Sequence, residues 1–304
     1  MRTIFLTSLV LALSACGSSD PVPPSGEVTA GPASMRVMSY NIRYNNPDDD
    51  ENAWPNRADR LAAQLRFNQP DVGGLQEVLV GQLNDLKTAL PDYEFVGVGR
   101  DDGMEAGEFS PLLVRRDRLT IEHWDTFWLS ETPDEVGSVG WDAALPRIVT
   151  WAQVRDRRDD TRFYVFNTHF DHQGVTAREQ SALLIRGKIA ELAGALPFVV
   201  TGDFNVTPDT TAYASMTAGD TPVPVADALL IAQAPHHGPE ETFFGFAACP
   251  SSFGFNDTEP RRIDYIFTHP QTRVLRAATL TDSYDCKYLS DHQAILADLR
   301  IERP

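Results

Sequence analysis

Apolar positions along this chain recur with two periods. Alternation marks Arg36-Val37-Met38-Ser39-Tyr40-Asn41-Ile42 as a strand, with Val37, Ser39 and Asn41 on one face. Thr150-Trp151-Ala152-Gln153-Val154 and Phe163-Tyr164-Val165-Phe166 read as two further strands, separated by a charged turn across 155–162. Phe198-Val199-Val200-Thr201 and Ile263-Asp264-Tyr265-Ile266-Phe267 read as buried strands, and 294–299 as a closing one. Leu79, Leu83, Leu86 and Leu90 recur at helical spacing, as do Ile185, Ile189, Leu192 and Leu196. Many short strands with a few helices between them predict an α+β layered fold. Composition shifts once, near residue 33, so a single domain over 34–304 is expected.

The segment before that shift has its own logic. Arg2, an apolar run to Leu13 and the small residues after it describe a secretory signal over 1–15, too short to span a bilayer as a helix. Leu13-Ser14-Ala15-Cys16 resembles the lipobox of bacterial lipoproteins, which implies acylation of Cys16. Ordinary secretion with an incidental cysteine is the plainer alternative. Residues 16–33, rich in Ser, Gly and Pro, then read as the lipidated residue and a flexible tether. Two cysteines remain, Cys249 and Cys286. In an oxidising compartment leftover thiols tend to pair, and a disulfide between them is expected, with two buried free thiols as the other outcome.

Composition is ordinary for a globular chain of 304 residues, with 42% hydrophobic residues. Charge is not: 26 Lys and Arg face 43 Asp and Glu, a formal net charge of -17. So acidic a body opposes long nucleic acid, which is gripped through clustered basic residues. It permits a small phosphate ester, because a divalent metal can supply positive charge locally.

Six short segments place polar or charged groups at or near strand ends. They are Tyr40-Asn41-Ile42-Arg43, Leu75-Gln76-Glu77-Val78, Asn167-Thr168-His169-Phe170, Gly202-Asp203-Phe204-Asn205, Arg262-Ile263-Asp264-Tyr265 and Ser290-Asp291-His292. Singly, each has a structural explanation, since Asn and Asp are common turn residues. Asp264 stands apart, because an unpaired carboxylate inside an apolar strand is costly. In this order the six resemble the endonuclease/exonuclease/phosphatase superfamily, the fold of pancreatic deoxyribonuclease, sphingomyelinases and inositol polyphosphate phosphatases. Asn52-Ala53-Trp54-Pro55-Asn56-Arg57, Phe109-Ser110-Pro111, 127–133, 141–147 and Asp171-His172 extend the likeness to a bacterial branch. The resemblance implies a four-layer α/β/β/α sandwich of two mixed sheets, like deoxyribonuclease I, with the site at one edge.

It also implies roles. Glu77, Asn41 and Asp291 become candidate ligands of a divalent cation, Mg²⁺ or alternatively Mn²⁺ or Ca²⁺. His292 becomes a candidate general base steadied by Asp264, with Asp203 the alternative base. Asp203 and Asn205 would position water and phosphoryl oxygens, and His169 would donate to the phosphate or the leaving oxygen. Asn167 would support those oxygens. Arg147, with Arg43 and Arg57 as weaker candidates, offers a planar guanidinium to phosphate. Trp54, with Trp128 and Trp141, could stack on a headgroup or anchor the core, and His172 could extend the site.

The functional expectation is a metal-dependent hydrolase of a small phosphodiester or phosphomonoester, such as a sugar phosphate, nucleotide or lipid headgroup. It would be monomeric and lipid-anchored in the bacterial envelope, facing the periplasm from the outer membrane. An exported nuclease and a non-catalytic binding protein on the same fold are the alternatives.

Overall fold

The computed structural model describes residues 34–219, 222–246 and 261–302. The predicted signal, Cys16, the tether and Cys249 lie outside the described residues. Cys286 is described and is disulfide-bonded.

Two six-stranded sheets pack face to face. The first runs β11 (Arg273–Leu280), β14 (Ala294–Arg300), β1 (Met35–Asn41), β2 (Val72–Gln76), β4 (Leu112–Arg115), β3 (Tyr93–Val96). The second runs β5 (Leu119–Trp128), β6 (Ile148–Asp156), β7 (Arg162–His169), β8 (Phe198–Asp203), β10 (Asp264–Thr268), β9 (Ala226–Asp227). A short hairpin, β12 (Ser283–Tyr284) and β13 (Lys287–Tyr288), stands apart. Both large sheets are mixed: β1 pairs parallel to β2 and antiparallel to β14, and β7 pairs parallel to β8 and antiparallel to β6. Helices α1 (Trp54–Asn68) and α2 (Val80–Ala89) cover the first sheet, and α3 (Val175–Leu192) and α4 (Thr211–Thr217) the second. The four-layer sandwich expected from the sequence is therefore observed.

Three apolar layers hold it together. Met38, Tyr40, Leu61, Leu65, Leu83 and Leu86 fill the space under α1 and α2. Val37, Val72, Val154, Val165, Val199 and Ile266 meet between the sheets. Phe166, Ile185, Ile189, Val200, Tyr213 and Tyr265 pack α3 and α4 onto the second sheet. β1 shows the alternation at work, sending Val37 to the inter-sheet layer and Met38 and Tyr40 to the helices.

Along the inter-sheet layer the chemistry changes from apolar to polar. Beyond the valines come Ser39, Gly74, Asn167 and Thr201, all at a close approach of the sheets. A Cβ added at Gly74 would stand 2.1 Å from Asn167 Oδ1 and 2.2 Å from Thr201 Oγ1. Asn167 ties the sheets together, donating through Nδ2 to Leu75 O (2.7 Å) and Pro111 O (3.1 Å). Its Oδ1 accepts from Gln76 Nε2 (2.7 Å) and Thr201 Oγ1 (3.0 Å). One step further along the same strands, the side chains open into a cleft.

Candidate active site

Strand register builds the site. His169 on β7 pairs across to Asp203 on β8, and Asp203 pairs across to Asp264 on β10. Three chemically active side chains therefore sit side by side on one face of the second sheet. From the first sheet, Asn41 ends β1 opposite Gln76 of β2, and Glu77 follows. Glu77, Arg43 and Asn205 have φ of 61°, 55° and 50°, a left-handed backbone costly for residues with a Cβ. Each turns the chain just past a strand end, which aims its side chain into the cleft.

The cleft is ≈ 460 Å³ and is lined by Arg43, Tyr44, Glu77, Glu108, Leu145, Arg147, His169, His172, Asp203, Asn205, Phe243, Arg261, Ile263, Asp291 and His292. At its centre Asn41 Nδ2 donates to both Glu77 Oε1 and Asp203 Oδ2 at 2.9 Å. Asn41 Oδ1 is taken by the Arg43 backbone N–H. In this geometry Asn41 clamps two carboxylates through its amide N–H groups. His292 Nδ1 bonds Asp264 Oδ2 at 2.9 Å, and its Nε2 faces Asp203 Oδ2 at 3.7 Å. Thr242 Oγ1 donates to the same Asp264 oxygen at 2.6 Å. Phe243 packs edge-on against the His292 ring at 4.8 Å.

Burial opposes every charge here, and the neighbours decide the outcome. Burial and the nearby Asp264 push Asp203 up to about 7, against the pull of His292 and Asn41. Burial works against the His292 imidazolium, yet Asp264, Asp203 and Asp291 outweigh it and raise that ring to about 10. The two groups titrate as a pair, with the proton drawn toward His292. His169 goes the other way: burial, Arg147 and Arg100 hold it well below the ordinary imidazole range. Asn205 Nδ2 donates to its Nε2 at 3.1 Å, so the neutral ring carries its proton on Nδ1, facing Glu108 Oε2 at 3.8 Å.

Among the described residues, Glu77, His169 and Asp203 bring donor atoms within 4.8 Å of one another, as do Asp203, Asp264 and His292. Converging carboxylates repel unless a cation lies between them, and hard oxygen donors suit a divalent one. Arg43 partly meets that need, with its guanidinium 4.0 Å from Glu77 and 3.9 Å from Asp291. The residues present therefore fit such an ion at Glu77 and Asp203, with Asp291 beside them and outside both donor groups.

Other expectations need correction. Asn167 is fully buried and spends its amide on the inter-sheet bonds, so it cannot reach substrate. Arg57 is 1% exposed and donates to the carbonyls of Ile42, Arg43, Asn52 and Leu289, which makes it a structural clamp. Trp54 starts α1, is buried, and donates its indole N–H to Asp85 at 2.8 Å. Trp128 is likewise buried, bonded to Arg100 O. Arg43, Arg147 and His172 do line the cleft. Sequence reading missed Glu108, bonded by Arg100 at 2.7 and 2.9 Å, along with Phe243 and Arg261. Glu108 directly precedes the Phe109-Ser110-Pro111 stretch, and that adjacency was the available clue.

A structure of the endonuclease/exonuclease/phosphatase from Bacteroides vulgatus superposes with a TM-score of 0.82 at 42% identity, covering 88% of this chain and 99% of that one. A mannosyl-6-phosphatase from Bacteroides thetaiotaomicron matches at 36% identity and TM-score 0.79, covering 87% of this chain and 99% of its own. Drosophila melanogaster nocturnin is 27% identical over 204 residues, 62% of this chain and 29% of that protein. The model of the endonuclease/exonuclease/phosphatase family, whose members hydrolyse phosphate esters, matches residues 38–292. With that match over most of its length and with this cleft, the chain belongs to the endonuclease/exonuclease/phosphatase family.

Proposed function

We propose that the protein is a divalent-metal-dependent hydrolase of a small phosphate ester, with a sugar phosphate the favoured substrate. The observation that carries this is the convergence of Glu77, His169, Asp203, Asn205 and His292 around one cleft, with Asp264 behind His292. Likeness to a mannosyl-6-phosphatase over almost its whole length supports a sugar phosphate. The net charge of -17 argues against a long polyanion.

In this reading Glu77 and Asp203, with Asp291 beside them, would hold a divalent cation, which when bound would supply positive charge to offset that of the phosphate. The chain's own groups manage the protons. Water bonds to phosphorus as the ester P–O bond breaks. Asp203 accepts the water proton, and the departing oxygen collects one from solvent. His292, kept charged by Asp264, directs its Nε2–H at the phosphoryl oxygens, where charge grows in the transition state. Asn205 holds His169 in one orientation beside them.

The test is turnover of mannose 6-phosphate, a chromogenic phosphodiester, sphingomyelin and plasmid DNA with Mg²⁺ or Mn²⁺, before and after EDTA. Metal-dependent hydrolysis of the small esters is expected, with Glu77→Gln and His292→Ala both inactive but folded. Turnover that survives EDTA would remove the metal from the mechanism, and preferred cleavage of plasmid DNA would favour the nuclease. We also propose lipid anchoring through Cys16 at the outer membrane. Labelling cells with a radioactive fatty acid should mark the wild type and not Cys16→Ser.

A further inference from the structure

Arg147 carries a buried donor with nothing to bond. It lies just before β6, is 4% exposed, and lines the cleft with His169, Asp203 and Glu108. Its Nε lies 3.4 Å from Asp171 Oδ2, and its Nη2 lies 3.0 Å from His172 Nδ1. Nη1 is buried and meets no acceptor among the described residues. Of the other guanidinium groups nearby, Arg43 forks onto Asp49, and Arg100 forks onto Glu108 while its Nε, like Arg147 Nη1, is buried without a hydrogen-bond partner; Arg261 lines the cleft over the Phe243 ring. Asp171 is occupied too, accepting from the backbone of Gln173 and Gly174. A guanidinium edge buried without an acceptor is costly, so its retention points to an acceptor that arrives with a ligand.

We propose that Arg147 makes this cleft selective for phosphomonoesters by binding the third unsubstituted oxygen of a terminal phosphate; this rests on the phosphoesterase reading above. A diester has two such oxygens and one negative charge, whereas a monoester dianion has three. Glu77 and Asp291 enter the cleft from the first sheet, and Arg147 enters from the second. A phosphate that turns two oxygens toward the acidic side leaves its third position facing Arg147. In a monoester that position is an anionic oxygen, matched to an N–H. In a diester it carries carbon, which leaves Nη1 unmatched and must share the space with Leu145 and His172. Braced by Asp171 and His172, Arg147 has little freedom to withdraw.

The experiment uses the full chain with Mg²⁺ and two substrates sharing a leaving group, p-nitrophenyl phosphate and bis(p-nitrophenyl) phosphate. The wild type should favour the monoester. Arg147→Gln should lower kcat/KM for the monoester about 30-fold and for the diester less than about threefold, with Arg147→Lys restoring part of the loss. Equal losses on both substrates would overturn the proposal, because a purely structural Arg147 predicts that result. Calorimetry supplies an arm independent of turnover and of the variant's folding. The wild type should bind inorganic phosphate at least about tenfold more tightly than dimethyl phosphate, and equal affinities would overturn the proposal as well. If neither substrate turns over while the wild type keeps this phosphate selectivity and Arg147→Gln loses it, the hydrolase reading fails and the subsite stands.

Discussion

Replacing Asp264 by Asn should disable the enzyme without dismantling it. The carboxylate is 1% exposed and bonds a His292 that is 4% exposed, at 2.9 Å. The pair is therefore a buried, charge-assisted contact with almost no water to screen it. Losing one preorganised donor aimed at transition-state charge costs about 2.7–4 kcal/mol, and at 1.36 kcal/mol per decade that is roughly a 10²- to 10³-fold fall in kcat if the charged ring is needed in the transition state. The size of Asn is nearly that of Asp, and its carbonyl can still accept from Thr242, so cavity formation adds little. Ring protonation reports the cause directly. His292 is raised to about 10 by Asp264, Asp203 and Asp291 against burial, so without Asp264 its pKa should fall. Nitrogen-15 NMR of the imidazoles in the metal-free protein follows that titration, steady-state turnover with Mg²⁺ gives kcat, and a thermal melt confirms folding. A variant with kcat within tenfold of wild type, or with His292 still charged above pH 8, would refute the reasoning.

Acid should weaken the fold through Asp171. Burial pushes its carboxyl up, but backbone N–H bonds from Gly174, Gln173 and Ala144, with Arg147, prevail and hold it at about 2. A folded pKa below the unfolded value of 3.8 means stability that is complete above about pH 4 and lost as pH falls through 2. The contribution is about 2 kcal/mol, and urea titrations of wild type and Asp171→Asn should converge only in that acid window. Gly74→Ala should overpack the polar waist between the sheets and lower Tm by about 6–10 °C, as read by calorimetry, whereas an unchanged Tm would mean that the sheets can separate there. Arg57→Met should cost about 3 kcal/mol in chemical denaturation by orphaning carbonyls of Ile42, Arg43, Asn52 and Leu289, with KM unchanged; a KM effect at intact stability would return Arg57 to the substrate.

Local pattern carried the sequence reading furthest where a strand's two faces differ in polarity. Alternation in β1 and the apolar runs of β8 and β10 appeared directly, because burial on a sheet face selects side chains every second residue. Helix α2 followed from Leu83 and Leu86, and α3 from Ile185 and Ile189. Helix α1 did not: its opening Trp-Pro-Asn-Arg-Ala-Asp-Arg mixes Trp54 with polar and charged residues, and the inner face it buries combines Trp54, Leu61, Ala62 and Leu65 with Arg57 and Gln64. Strand β5 was missed for a related reason, since much of its length is exposed or half-buried and its apolar signal is weak.

For the site, the sequence determined which side chains were available and their order, because six polar segments fell at strand ends. It could not tell a carboxylate that faces the cleft from an amide that faces the core. Asn41 and Asn167 look alike on paper. Register sends the first to the mouth of the inter-sheet layer and the second two residues short of its end, where both sheets close over it. The same holds for Arg147 and Arg57, which are equally buried. Only packing decides that Arg57 meets four carbonyls while Arg147 keeps one donor unmatched at a cleft wall. Glu108 belongs here too, a lone acid in a loop whose meaning comes from Arg100 and His169. Chemistry at one position is set by residue type, which the sequence records. The distances and the loss of water that turn residue types into a site arise when strands distant in sequence are pressed together, and that was the contribution of the tertiary structure.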